Sequence, residues 1–378
     1  MKTEGRSSGR RNLNATVAKM HAVYGKRLKP EDYSALLSCT SVSDAADYLK
    51  RNTYFSRWLD GVDTENIHRG NLENILRRSL MENYFRIVGF EKLGGDEFYN
   101  YIIIKTEIDE ILICILHLNA GTGDHITTLP IYMNKYTSFN LMDLAHVKSY
   151  DELLDLTAKT PYHDILKKYK PELADGHIDY AACELSLRTY YSGRLVASLH
   201  KFGGETEKRL KSYLGTQIDT INIANAYRMI HFFNADQQTV KSRMIPVYLK
   251  IPERKMDELY SAQNDQEFLK TLAAGYYGRE MAEQGIDMAE PDTALARLRF
   301  KQTKRAFSSA RSAPECFFTF NSLAEVEVKN IIRIPSIILI MFFTFNSLAE
   351  VEVKNIIRII EGIRYDLPAK EISELLIT

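Results

Sequence analysis

The chain has 378 residues, enough for two or three domains at roughly 100–200 residues each. Lysine plus arginine and aspartate plus glutamate are equal at 49, which argues against a protein that grips nucleic acid through surplus cationic charge. With 19 glycines and 10 prolines, about 8 % of the chain against roughly 12 % in average usage, the composition weighs against a turn-rich all-β fold, and 45 % hydrophobic residues exclude general disorder.

Met1 to Arg11 is polar and basic, with no apolar signal core, and is expected to be a flexible tail. Three similar segments then recur along the chain. Ser41-x-x-Asp44, Ser149-x-x-Glu152 and Asn264-x-x-Glu267 each read as a helix N-terminal capping box, a short side-chain acceptor followed three residues later by a carboxylate. Five residues before each cap stands a leucine (Leu36, Leu144, Leu259). Just after each come Ala45-Ala46, Leu153-Leu154 and Phe268-Leu269, and thirteen residues after each stands a tyrosine (Tyr54, Tyr162, Tyr277).

A second series shares the period. Gly94-Gly95 recurs as Gly203-Gly204, and Ile108-Asp109-x-x-Leu112-Ile113 corresponds to Ile218-Asp219-x-x-Asn222-Ile223. Around Asp219 the apolar residues cover nearly the whole circumference at a 3.6-residue period, which predicts a helix buried between others. Tyr101–Leu118 is isoleucine-rich and locally strand-like, but its alignment with the Asp219 segment predicts helix. The third version of the series occurs twice. Phe317–Ile334 and Phe342–Ile359 are the same eighteen residues at an offset of 25, a recent duplication or an error of gene assembly. Without those 25 residues the chain is three units of about 110 plus a short tail. The expected organisation is therefore an all-α protein: tail 1–11, helical units 12–125 and 126–240, and a third unit 241–378 carrying the duplication.

Four separated cysteines, with no CxxC pair, predict neither a disulfide framework nor a zinc ribbon. No phosphate-binding loop, dinucleotide fingerprint or metalloprotease motif occurs, so no cofactor is expected. Cys114 and His117 have a spacing that could reach a metal from one helix face, but on so apolar a helix they read as packing residues, and no metal site is assigned. His200 reads as a helix-end cation. The longest apolar run, Ile337–Phe343, falls far short of the roughly 20 residues of a membrane span. Asp109, Asp219 and Glu352 stand within apolar helices, where a carboxylate is costly unless partnered. With Asn222, Arg228, Asn355 and Arg358 they are expected to fix how helices dock, Arg228 and Arg358 supplying the cations. No catalytic residue is assigned.

Asn12-Leu-Asn-Ala15, Leu28-Lys-Pro-Glu-Asp-Tyr33 with Leu36-Leu37, Gln217-Ile-Asp-Thr-Ile-Asn-Ile223 with Arg228, Glu350-Val-Glu-Val-Lys-Asn-Ile-Ile-Arg358 and Ile360-Glu-Gly-Ile-Arg364 together resemble the C subunit of archaeal and bacterial V/A-type rotary ATPases, whose eukaryotic V-ATPase equivalent is called d. The resemblance covers nearly the whole chain. It implies three similar helical domains in a pseudo-three-fold funnel that rests on the cytoplasmic face of the membrane proteolipid ring. The D and F subunits of the central shaft would plug into that funnel. The part would be non-catalytic and would pass torque between shaft and ring for ATP-linked H⁺ or Na⁺ transport. An all-helical scaffold or adaptor unrelated to an ATPase is the competing reading. The duplication departs from the family pattern. Pro335 is expected to interrupt the helix between the copies. The second copy, which has the natural continuation, is expected in the native place, with the first extruded.

Overall fold

The computed structural model describes residues 5–90, 96–121, 130–171 and 176–344, with side chains placed for 15–89, 96–121, 130–171 and 176–334. The protein is all-α: the described residues form seventeen α-helices with short 3₁₀ turns and no strand. Seven helices are long: α1 (Gly5–Tyr24), α5 (Arg69–Phe90), α6 (Tyr101–Ala120), α10 (Tyr180–Leu199), α11 (Gly204–Phe233), α16 (Pro291–Ser308) and α17 (Ala313–Thr344). Between them lie modules of short helices: α2 (Pro30–Leu37), α3 (Val42–Asn52) and α4 (Ser56–Leu59); α7 (Leu141–Leu144), α8 (Tyr150–Thr157) and α9 (His163–Leu166); and α12 (Gln237–Ser242), α13 (Glu253–Tyr260), α14 (Asp265–Ala274) and α15 (Tyr276–Glu283).

Each module is one of the three repeated segments. Ser41 Oγ accepts the Asp44 N–H at 3.0 Å, Ser149 Oγ the Glu152 N–H at 3.3 Å, and Asn264 Oδ1 the Glu267 N–H at 3.0 Å. The returning carboxylate does the same thing in all three. It accepts the N–H of the residue before the cap: Thr40 at 3.2 Å, Lys148 at 2.8 Å and Gln263 at 2.9 Å. Two otherwise orphaned donors are satisfied at each helix start. Leu36, Leu144 and Leu259 are buried, as are Ala45, Ala46, Leu153, Leu154 and Phe268. The periodic apolar residues are thus the core faces of equivalent short helices.

Helix α6 confirms the helical reading of the isoleucine-rich stretch and ends at Gly121, whose φ of +63° suits a residue without Cβ. Ile102, Ile108, Ile111, Leu112 and Ile115 are all buried there, and that burial outweighs the few tenths of a kcal/mol by which β-branching disfavours a helix. Helix α11 is buried along Leu210, Leu214, Ile218, Ile223, Ala226 and Ile230, while Ile221 turns outward. Phe98, Tyr99 and Tyr101 pack with Phe202, Phe317 and Phe318 into an aromatic hub, Tyr99 lying 4.9 Å from Phe317 and Phe98 4.9 Å from Phe202 between ring centroids.

Three expectations about the ends of the chain are corrected. Helix α1 begins at Gly5, inside the segment expected to be a tail; no proline interrupts the stretch, and a helix anchored by buried Thr16 and Met20 can propagate backward through it. The first copy of the duplication is not extruded: Phe317, Phe318, Phe320, Leu323, Val328, Ile331 and Ile334 are all buried. Nor does Pro335 end the helix, since α17 runs through it to Thr344. The ring forfeits one amide donor, a local cost that the buried helix before it tolerates. The second copy lies outside the described residues beyond Thr344.

Candidate functional site

The three period-locked tyrosines share one task. Tyr277 Oη donates to Asp219 Oδ2 at 2.9 Å, Tyr54 Oη to Glu327 Oε2 at 2.7 Å, and Tyr162 Oη to Glu107 Oε2 at 2.5 Å. Each carboxylate also accepts a backbone N–H from a residue just ahead of one of the module's helices. Ile251 N donates to Asp219 at 3.2 Å, Leu28 N to Glu327 at 2.9 Å, and Ser138 N to Glu107. A buried carboxylate on a long helix thus holds a short-helix module at two points, three times over. Asp219, Glu107 and Glu327 are buried at 0 %, 3 % and 5 % exposure, so these bonds are made away from water, where leaving them unmade is costly.

In two cases the carboxylate precedes its module: Glu107 on α6 holds α7–α9, and Asp219 on α11 holds α12–α15. In the third it comes from the far end of the chain. Glu327 on α17 holds the N-terminal module α2–α4, and Arg27 Nε lies 3.5 Å from Glu327 Oε2. The amide donor stands 31 residues after Glu107 and 32 after Asp219, whereas Leu28 stands 299 residues before Glu327.

Burial pushes the Asp219 carboxyl up to about 6, against the lowering pull of the Tyr277 hydroxyl, the Ile251 amide and Lys250. Burial likewise raises Glu327, with Arg27 and the Tyr54 hydroxyl opposing. The tyrosines are raised by burial and by the adjacent carboxylates, so they remain donors. The three tyrosine hydroxyls and the three backbone amides are thus spent on scaffold carboxylates, while Asp219 Oδ1 is left without a hydrogen-bond partner.

Of the residues expected to dock helices, Asp219 takes the two bonds above. Asn222 grips the Ile245 backbone with both ends of its amide, donating to the carbonyl at 2.9 Å and accepting the N–H at 3.0 Å. The partner of Asp219 is not Arg228, whose Nε instead lies 2.8 Å from Asp292 Oδ2. A hydroxyl and an amide, rather than an arginine, take Asp219 Oδ2. Asp109 is likewise not the counterpart of Asp219. It is half-exposed and pairs with Arg188 at 2.7 Å, while Glu107, two residues earlier, makes the clamp. Glu352, Asn355 and Arg358 lie outside the described residues; of their first-copy counterparts, Glu327 is clamped, and Asn330 and Arg333 are exposed. Sequence reasoning missed Glu107, and its available signal was Tyr162, a third period-locked hydroxyl that needed a buried acceptor.

Cys114 is buried, its thiol pushed up to about 12 by burial, and no group of three metal-ligating side chains is gathered among the described residues. His200 caps the end of α10 against Glu207 at 2.9 Å.

The family model for the ATP synthase (C/AC39) subunit matches residues 16–339, which include all three modules and all three clamp carboxylates. The chain belongs to that family. The C subunit of the A-type ATP synthase of Methanosphaera stadtmanae is 20 % identical over 323 residues, covering 83 % of this chain and 80 % of that one. The proteins of the same name from Methanosarcina acetivorans and Methanosarcina mazei are 23 % and 24 % identical, over 71 % and 79 % of this chain and 73 % and 80 % of theirs. As a member of the C/AC39 family the chain is a non-catalytic part of a multisubunit ATPase. No described helix is long and apolar enough to cross a membrane.

Proposed function

We propose that this C/AC39 protein is the central-stalk rotor part that couples the rotating shaft to the membrane proteolipid ring, for ATP-linked H⁺ or Na⁺ transport. In this reading its three units form a funnel on the cytoplasmic face, the ring against one rim and the D and F subunits in the socket. The observation that carries it is the clamp itself: one module built three times on long helices, the N-terminal copy fastened to the last described helix by Glu327. A torque-transmitting part needs a body that does not shear, and close-packed interiors with fixed polar ties transmit strain rather than absorb it. Zero net charge is compatible with two different partners, because local patches steer docking.

Photo-crosslinkers at the exposed Leu37, Ile131 and Phe300, used one at a time in native membranes, test the reading. Adducts with the proteolipid and with a shaft protein are expected. Co-purification with the ATPase but adducts only to its stationary parts would overturn it.

A further inference from the structure

A cleft of about 270 Å³ opens where α11, α15 and α16 meet. Ser212 and Tyr213 of α11, Tyr276 and Glu280 of α15 and Arg305 of α16 line it, together with Lys250. Lys250 holds the place that Arg27 holds in the N-terminal module, one residue before the amide that the clamp carboxylate accepts. Arg27 is balanced there by Glu327, 3.5 Å away. Lys250 is not balanced in that way.

Its Nζ donates to Thr216 Oγ1 at 2.9 Å and lies 4.8 Å from the centroid of the Tyr276 ring, and it forms no ion pair among the described residues. An ammonium carries three N–H donors, so most of this one's are left without an acceptor in the described chain. A half-buried cation with open donors is costly, and burial accordingly pulls Lys250 below the ordinary lysine pKa, against Glu280 and Asp219. Arg305, exposed on the same cleft, likewise has no ion pair among the described residues, and the Ser212 hydroxyl makes no hydrogen bond among them. Glu280 is the one carboxylate among the lining residues. Its Oε2 is already taken, accepting Gln302 Nε2 at 3.1 Å and Gln284 Nε2 at 3.3 Å.

Two cations and a hydroxyl, set against one carboxylate already engaged, make this an anion site. A phosphoryl group presents three acceptor oxygens and close to two negative charges, a fuller match than a carboxylate's two oxygens and single charge. Lysine as a point charge and arginine as a fork are its ordinary partners. A bare phosphate would leave most of the cleft empty, and the Tyr213 and Tyr276 rings in its wall suit a planar, largely apolar body. We infer that this cleft binds a small phosphomonoester, its phosphoryl group on Lys250, Arg305 and Ser212 and its body against Tyr213 and Tyr276. The inference goes beyond the coupling reading and does not rest on it.

The test is calorimetric titration of the full chain with phenyl phosphate and with adenosine monophosphate, alongside benzoate and inorganic phosphate. At least one of the two phosphomonoesters should bind once per chain, about tenfold or more tighter than benzoate or inorganic phosphate. Lys250→Met and Arg305→Gln should each weaken that binding by about tenfold. Lys304→Gln, exposed on the same helix but outside the cleft, should leave it unchanged. Because Arg305 is exposed, its variant decides the matter even if Lys250→Met does not fold. Absence of binding by both phosphomonoesters would overturn the inference, as would benzoate binding equally well or Arg305→Gln binding like the parent. An equal loss from Lys304→Gln would overturn it too, by reducing the effect to general surface charge.

Discussion

Asp219 shows what a single buried carboxylate does here. One oxygen takes the Tyr277 hydroxyl and the Ile251 amide, while Oδ1 has no hydrogen-bond partner. Tyr277→Phe should therefore cost about 1–3 kcal/mol in urea unfolding, the range for leaving a buried acceptor short of a donor. Glu110 is a sharper case. It stands three residues after Glu107, as Asn222 stands after Asp219, but one of its oxygens has no partner. Burial first, and Asp109 beside it, push its carboxyl up to about 8, with Arg77 pulling the other way. Because the folded form holds this proton more tightly than an unfolded chain, whose glutamates titrate near about 4.3, stability falls as pH rises from about 4.5 to about 8. Asp219 adds a fall in the same direction between about 4 and 6. Glu110→Gln should flatten the upper part of this slope and stabilise the protein by a few kcal/mol at pH 8.5, while leaving pH 4.5 nearly unchanged. Thermal melts across that pH range check it, and an unchanged slope would count against the assignment.

The short helices rest on caps and on one close approach. Ser149→Ala removes the acceptor for the Glu152 N–H and should cost about 1 kcal/mol, as should Asn264→Ala in the next module. Gly278 is a different kind of requirement. A Cβ there would stand 2.2 Å from the Leu272 carbonyl oxygen and 2.4 Å from Ala273 Cα, both backbone atoms that cannot swing aside. Gly278→Ala should therefore destabilise by about 3 kcal/mol or more, read as a loss of Tm, and should hurt more than either cap variant. Caps, leucines and tyrosines were legible in the sequence because each carries a local chemical signature at a fixed spacing. The acceptor of Tyr162 was not, because Glu107 and Asp109 lie on one helix and only packing decides which turns inward. Pro335 misled for a related reason: proline reports the loss of one amide, whereas the helix before it is held by the burial of Val328, Ile331 and Ile334, which local sequence does not display.

Across the molecule the modules belong to separate cores. Tyr54 and Phe55 pack with Leu36, Leu49 and Val328, whereas Tyr277 packs with Ile223, Tyr260 and Leu298, and the two groups share no member. The internal repeat made the three capped short-helix modules readable, but not that one would be fastened by a distant helix, since no spacing records a contact between residues 54 and 327. That closure has an energetic consequence. Contacts of such sequence separation are entropically late, so the N-terminal module should be the one most easily released from an otherwise folded body. Tyr54→Phe removes the donor to Glu327 and should cost about 1–3 kcal/mol, appearing as faster native-state amide exchange across residues 28–64. Exchange in 251–283 should stay as it was. Tyr277→Phe should do the reverse, and the double variant should show both losses added to within about 0.5 kcal/mol, as independent sites do. A coupling beyond that between the two tyrosines would mean that the modules sense one another through the long helices, and that the body opens as one unit rather than module by module.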